Sequence, residues 1–289
     1  MPHPVRPFPA VALLGFMDEA GANQYASGLF LTRAKTPAGV KRLWRYHSRA
    51  VSALSPLTPA DEPAIGAPDP ALAAYLSTVQ ADPMFQAVYG TSTWQFADVE
   101  IAPLLAFQPH VEIGRYETNP GVTGLATSEA RAMFCLPVSP GEELVVSEDS
   151  DPSGRVAAIT ISSSRPNVWF HGFQRQPGPA LVWGFLVTGR PNFAAVAAYR
   201  GRYYVKNGYH RLVSLLRMGF TSATVVLEEV PTWGEVGSRP GFFPETLMVG
   251  PRPPMLRDFL DISLAHRGRV RPVMTILRVA YTEQQVPML

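Results

Sequence analysis

The sequence has little cysteine, little net charge and no long apolar run. Its single cysteine, Cys135, excludes an internal disulfide framework and a zinc site built from several cysteines, and its apolar neighbours predict a buried structural thiol. The formal net charge of +2 is too small to hold nucleic acid by itself. Because no stretch is apolar enough to cross a bilayer and prolines interrupt the first ten residues, we expect no membrane span, no secretion signal and a cytoplasmic location.

Proline and glycine, in contrast, are abundant, with 29 and 23 of the 289 residues. This composition is typical of a globular protein rich in turns, and helical and extended patterns follow one another along the chain. We therefore predict an α/β protein of the α+β class, with a mixed sheet at its centre. The chain is expected to divide into a helical N-terminal subdomain (1–95), a core with a β-rich insertion (96–232) and a Pro/Arg-rich C-terminal extension packed on the core (233–289).

Local start signals predict most of the helices in the first hundred residues. The first 35 residues fit strands or extended chain better than a long helix. A Thr-Pro pair at 36–37 then supplies a cap and a first turn, and the apolar residues after it recur every three or four positions, which predicts an amphipathic helix. Asp-Pro pairs at 69–70 and 82–83 predict the starts of two further helices.

The stretch from Gly201 to Gly219, reading GRYYVKNGYHRLVSLLRMG, has the clearest change of pattern. Residues 203–205 predict a strand, Asn207-Gly208 a tight turn, and the apolar spacing after it a helix that ends at Gly219. Another apolar run, at 225–227, predicts the next strand. A strand, a helix and a strand of this length favour a parallel crossover unit.

A helix that begins at such a turn is a candidate anion site. Its first amides lack intrahelical partners and carry a partial positive charge, and Gly208 can adopt a positive φ without a Cβ that would keep a ligand away. Arg211 offers a planar fork to phosphate oxygens, and His210 can donate or accept a proton near neutral pH. The alternative is a plain turn, with Arg211 solvated or paired with a carboxylate such as Glu228.

The same segment resembles the signature of the ParB/sulfiredoxin superfamily. Members have a strand, then Asp or Ser, Gly, any residue, His or Arg, and Arg, followed by a helix that ends at Gly; this chain follows that order from Tyr203 to Gly219. Residues 99–108 also resemble the family's first strand and the short helix after it. The resemblance implies a ParB/sulfiredoxin-like core that binds ATP, CTP or a related nucleotide through Asn207, Gly208, Tyr209, His210 and Arg211.

Three departures from the family pattern narrow the activity. Tyr209 stands where sulfiredoxins have their reactive cysteine, which argues against sulfinic acid reduction. His210 replaces the first of the two ParB arginines, and no helix-turn-helix pattern follows Pro231, which argues against a DNA-sliding clamp. Asn207 replaces the usual acidic residue and so removes a charge that could hold a metal or a ribose hydroxyl.

Hydrolysis or phosphoryl transfer would need a carboxylate near the transferred phosphate, as a base or a magnesium ligand. Glu112 is our first choice and Glu100 the alternative, with His210 as the second catalytic residue. Arg190, on a loop before the family-like segment, is expected either to reach a base or phosphate or to form a plain turn. No metal-ligand spacing links the histidines at positions 110, 171 and 210, so we predict no metal site among them.

The sequence therefore predicts a protein that holds ATP or CTP, with or without magnesium, at the start of one helix and hydrolyses the nucleotide or transfers its phosphate. Two alternatives stay open. One is a binding or regulatory module without catalysis, which acts on a protein partner. The other is a nucleic-acid processing enzyme, for which the basic run His266–Arg271 would have to meet nucleic acid rather than solvent.

Overall fold

The computed structural model describes residues 7–32, 34, 36–114, 124–138, 144–163, 168–176, 182–189, 192–238, 241–271 and 275–280. Helices and antiparallel or mixed sheets make up this part of the chain, so the predicted α+β class is confirmed. By internal contacts the chain forms two compact units, one of Met1–Val138 with Asn192–Arg271 and one of Ser139–Pro191 with Pro272–Leu289. These boundaries differ from those of the three predicted segments.

Most of the helices begin at the polar caps that the sequence marks. The Thr36 hydroxyl accepts a hydrogen bond from the amide three residues later, and the Asp82 carboxylate accepts from the amides two and three residues later, so these two of the three predicted starts are confirmed. At the third, the Asp69 carboxylate accepts from the amide of Ala71 and caps a 3-10 turn, Pro70–Leu72, that leads into the helix from Ala73. None of the described helices is long and apolar enough to cross a membrane. These α-helices are α1 (Glu19–Gly28), α2 (Pro37–Ser52), α3 (Ala73–Ala81), α4 (Pro83–Tyr89), α5 (Ser128–Cys135), α6 (Tyr209–Arg217) and α7 (Glu245–Met248).

Helix α1 corrects the expectation that the first 35 residues are extended. Asp18 accepts a hydrogen bond from the amide of Gly21 and so caps a helix of ten residues. Only Ala22 of these ten is fully buried, so the helix has almost no apolar periodicity for the sequence to reveal.

Strands from both ends of the chain meet in the larger unit. The described strands are β1 (Phe8–Ala12), β2 (Phe30–Leu31), β3 (Ile65–Gly66), β4 (Trp94–Glu100), β5 (His110–Glu112), β6 (Val145–Ser150), β7 (Val156–Ser163), β8 (Val168–Gln176), β9 (Val182–Gly189), β10 (Ala195–Tyr199), β11 (Arg202–Asn207), β12 (Ser222–Glu229), β13 (His266–Val270) and β14 (Thr275–Ala280). One sheet of the larger unit is antiparallel, in the order β2-β13-β1-β5, and the other is mixed, in the order β11-β10-β12-β4-β3. β1 is therefore held between a strand from near residue 110 and a strand from near residue 268.

The segment β11–α6–β12 has the predicted elements but not the predicted parallel crossover. A two-residue turn at Arg200-Gly201, with φ of 51° and 72°, folds β11 back against β10. β10 lies between β11 and β12 and runs parallel to β12, so β11 and β12 are antiparallel and are not neighbours. The prediction is wrong because this hairpin depends on turn geometry, which the apolar spacing of α6 does not report.

A continuous apolar core fills the larger unit and reaches from the mixed sheet to the C-terminal segment. Phe107, Phe193 and Tyr204 are among its largest fully buried side chains. The amide of Phe243 donates to the carbonyl of Phe107, and further backbone hydrogen bonds join residues 254–257 to residues 102–106. The proline-rich residues 241–265 are thus fixed directly to the core that carries β11 and α6.

The smaller unit is built from hairpins. β7 pairs with β6 and β14, and β8 pairs with β9, all antiparallel. The turn between β6 and β7 is stabilised locally: the Asp151 carboxylate accepts hydrogen bonds from the amides of Ser153 and Arg155, and Gly154 has a φ of 81°. The β-rich insertion expected within residues 96–232 is confirmed for the described residues of β6 to β9.

Candidate functional site

The start of α6 is the predicted anion site, and its geometry is set by Gly208. This residue has a φ of 93°, in the left-handed region, and its amide donates to the Asn207 side-chain oxygen at 3.0 Å. Gly208 is buried, and a Cβ built on it would lie 3.0 Å from both Cα and Cβ of Ala194. The missing Cβ therefore makes room for Ala194, on the approach to β10, and does not leave an opening for a ligand.

Tyr209 and Arg211 also point into the protein. Tyr209 is 4% exposed and packs edge-on against Phe107, with ring centroids 5.6 Å apart, and burial raises the pKa of its hydroxyl well above 10.0. Arg211 is 5% exposed, and its Nη1 donates to the carbonyls of Phe134 and Cys135 at 2.9 and 3.1 Å. Because these carbonyls lie at the C-terminal end of α5, where a cation is stabilised, Arg211 joins α6 to α5.

The two predicted catalytic residues do meet, although 98 positions separate them. The amide of Glu112, on β5, donates to Nδ1 of His210 at 2.9 Å. His210 occupies the second position of α6 and is half-buried. Since Nδ1 accepts this hydrogen bond, a neutral His210 carries its proton on Nε2.

A second histidine and a tyrosine extend this pair. The Tyr25 hydroxyl, on α1, is hydrogen-bonded to Nδ1 of His110, and the rings of His110 and His210 are 6.4 Å apart. Burial and, secondarily, His210 lower the pKa of His110 to about 3, while Glu112 acts in the opposite direction. Burial raises the pKa of Tyr25 far above its usual value. At neutral pH Tyr25 therefore keeps its hydroxyl proton, and Tyr25 and His110 form a hydrogen bond between two neutral groups.

Two more histidines lie near this sheet, His266 on strand β13 and His47 on helix α2. His110 on β5 and His266 on β13 both stand opposite Ala12 of β1, so they share one face of the sheet. The ring of His266 lies 6.3 Å from that of Phe30 and 5.6 Å from that of His47. Burial lowers the pKa of His266 to about 4, with a further contribution from His47, and burial also lowers the pKa of His47.

His47 has a structural role. It is 3% exposed, and its Nδ1 donates to the carbonyl of Ser263 at 2.7 Å, which joins α2 to the residues before β13. No group of three histidine, cysteine or acidic residues suited to a metal occurs among the residues that the structure describes. What the cluster of Tyr25, His110, Glu112 and His210 offers is imidazole N–H donors beside one carboxylate, a set suited to an anion and to proton transfer.

Other sequence-based candidates lie elsewhere. Arg190 and the side chain of His171 are outside the described residues. The Glu100 carboxylate accepts a hydrogen bond from the amide of Ala64 at 3.3 Å and so supports the pairing of β3 with β4. Glu228, the carboxylate considered for Arg211, binds the ammonium of Lys206 at 2.8 Å instead. The run His266–Arg271 contains β13 (His266–Val270), a strand inside the first sheet, and its arginines at 267, 269 and 271 are exposed.

Cys135 behaves as predicted. It is fully buried at the end of α5, and burial raises the pKa of its thiol to about 11. Its carbonyl accepts from Arg211 and from the amide of Ala194, so the residue acts through its backbone at the junction of α5, α6 and β10.

Sequence reasoning found Glu112 and His210 but missed Tyr25, His47 and His266. No spacing along the chain connects these residues, because α1, α2 and β13 reach the cluster only through the pairing of β1 with β5 and β13. The one local signal is the Asp18 cap, which marks α1 and so the face that carries Tyr25.

Fold and cluster together define an α+β protein with a histidine-rich site at the start of a helix. A scan against protein-family models finds no matching family, and searches of curated proteins and of solved structures find no match. The resemblance to the ParB/sulfiredoxin superfamily stays a prediction from the residues of β11 and α6.

Proposed function

We propose that the protein binds a nucleotide, with its phosphates at the start of α6 on the side of His210 and Glu112. The observation that carries this proposal is the hydrogen bond from the Glu112 amide to Nδ1 of His210. It fixes the Nε2–H form of an imidazole on the first turn of a helix, where the backbone adds a partial positive charge. A phosphate oxygen is an acceptor suited to that donor.

The set of ligand contacts differs from the one that the resemblance implies. Three residues position the helix: Gly208 lies against Ala194, Tyr209 packs on Phe107, and Arg211 binds the end of α5. In this proposal their side chains make no contact with the nucleotide. Asn207, which caps the turn, His210 and Glu112 remain as contacts. The nucleotide therefore interacts with the β5 side of α6, close to His110.

Proton transfer is the chemistry that this set supports. His210 donates a hydrogen bond from Nε2 to a phosphate oxygen, and the Glu112 carboxylate accepts a proton from an attacking hydroxyl or water. A protein-held magnesium ion does not fit the described residues, because the cluster brings one carboxylate and no group of three ligands. We assign no step to a metal.

A thermal-shift screen with ATP, CTP, GTP and UTP, each with and without magnesium, tests the proposal, since a ligand that binds the folded state raises the melting temperature. His210→Ala should abolish the shift, and Arg45→Gln, an exposed change on α2, should preserve it. Glu112→Gln should keep the shift and lose turnover. No shift with any nucleotide would remove the proposed function.

Turnover and DNA-retention measurements, made beside the thermal-shift screen, separate the two alternatives. Binding without turnover in the unaltered protein favours a regulatory module, which retains the site but not the chemistry. Retention on single- or double-stranded DNA that falls steeply with salt, without a nucleotide shift, favours a nucleic-acid enzyme.

A further inference from the structure

A pocket lies in the larger unit, at the other end of β11 from the start of α6. It has a volume of about 270 Å³ and is enclosed by the loop 57–63 and the turn of the β10–β11 hairpin. Pro103 and Leu105, both buried, form its floor. Because Arg202 begins β11 and Asn207 ends it, the pocket and the start of α6 are separated by the length of that strand.

Four charged side chains line this pocket, and two of them already have partners. Asp61 is paired with Arg257 and accepts hydrogen bonds from Thr58. Arg202 donates from Nη1 to the carbonyls of Met248 and Gly250 at 2.9 and 2.8 Å. Asp61 and Arg202 therefore form part of the pocket wall.

The other two charged groups, the guanidinium of Arg200 and the carboxylate of Glu62, are exposed. Neither forms an ion pair or a hydrogen bond from its side chain with any residue in the described ranges. The pocket therefore has an apolar floor and, beside it, one positive and one negative group without an ionic or hydrogen-bonding partner among the described residues.

Arg200 is held at the rim against its backbone preference. Among the described residues it is the only one other than glycine with a positive φ, 51°, a conformation in which a long side chain is disfavoured. Its guanidinium lies over the ring of Tyr199, 5.0 Å from the centroid. The turn itself needs a positive φ but not an arginine, since Asn or Gly fits it better. Arg200 therefore adds a positive charge at the rim that the turn does not require.

We propose that this pocket binds a zwitterionic α-amino acid with an apolar side chain. Arg200 takes the carboxylate, Glu62 takes the ammonium, and Pro103 and Leu105 contact the side chain. The volume is just below the range of about 300–1,000 Å³ for larger ligands, which suits a molecule of this size. The two acids at 61 and 62 disfavour a nucleotide, whose phosphates would lie beside them.

Calorimetric titration with L-leucine, L-phenylalanine, N-acetyl-L-leucine and L-leucinamide tests this proposal on the full chain. We expect both free amino acids to bind, and L-leucine to bind about tenfold or more tightly than either of its analogues, each of which lacks one charge. No binding of either free amino acid, or equal binding of the analogues, would overturn it.

Variants sharpen the result. Arg200→Asn removes the guanidinium but accepts the left-handed backbone, so it should leave the melting temperature unchanged or higher while weakening binding by about tenfold. Glu62→Gln should remove the preference for L-leucine over N-acetyl-L-leucine. Arg269→Gln, an exposed change on β13, serves as the control and should bind normally. Unchanged affinity in Arg200→Asn contradicts the proposal, whatever the nucleotide screen shows.

Discussion

His110→Asn should make the folding of the larger unit less sensitive to acid. In the folded protein the pKa of His110 is about 3, against 6.5 for an unperturbed histidine, because burial and His210 disfavour its charged form. The depressed pKa means that the unfolded chain binds a proton first. The stability that His110 contributes is therefore complete above about pH 6.5 and is lost as the pH falls towards 3.

The size of this effect follows from the two pKa values. Between about pH 7.5 and pH 5 the unfolded state gains nearly one proton at this position and the folded state almost none, which costs about 2 kcal/mol of unfolding free energy. Asparagine retains an acceptor near the place of Nδ1, so the hydrogen bond from Tyr25 can persist. The groups that face His110 (Tyr25, His210 and Glu112) are present in both proteins. Their own protonation therefore contributes to the pH dependence of both, and the difference between the two proteins reports on His110.

Urea unfolding at a series of pH values, followed by hydrogen exchange of β1 and β5 amides, measures the difference. The gap between the unaltered protein and His110→Asn should shrink by about 2 kcal/mol over this pH range. Parallel loss of stability in the two proteins would refute the reasoning, because it would mean that His110 can be charged in the folded state. A direct check is the NMR titration of the His110 ring, whose pKa should rise in His210→Gln.

Two further changes test the start of α6. Arg211→Met should destabilise the fold by about 3 kcal/mol, since two charge-assisted hydrogen bonds to Phe134 and Cys135 are lost. The variant should still show the melting-temperature shift expected with a nucleotide. Loss of that shift in a folded variant would mean that Arg211 contacts the ligand. Gly208→Ala should cost at least about 2 kcal/mol in urea unfolding, because it adds the contact with Ala194 to the strain of a positive φ. Gly219→Ala is the matched control: its φ is 88° but the space around it is open, so a cost equal to that of Gly208→Ala would show that the contact with Ala194 is unimportant.

Local signals in the sequence predict those parts of the fold that depend on local physics. The caps at Thr36 and Asp82 and the turn at Asn207-Gly208 each satisfy their hydrogen bonds within a few residues, and all three appear where expected. The pairing of β1 with β5 and β13 joins positions separated by a hundred residues or more, and nothing in the periodicity of β1 selects those partners. The cluster around His110 is a product of that pairing, so among its members the sequence alone points only to Glu112 and His210 as site residues.

The position of Arg211 changes what the start of α6 requires. An arginine on the first helical turn is disfavoured by the positive end of the helix, and a bound anion would offset this cost. In the fold the C-terminal carbonyls of α5 accept hydrogen bonds from Nη1 of the guanidinium, so the charge is stabilised within the protein. Any affinity for phosphate must then come from the helix itself and from the Nε2–H of His210, which is a weaker and more selective arrangement than an exposed arginine. For this reason His210→Ala, and not a change at Arg211, decides whether the helix start is a binding site.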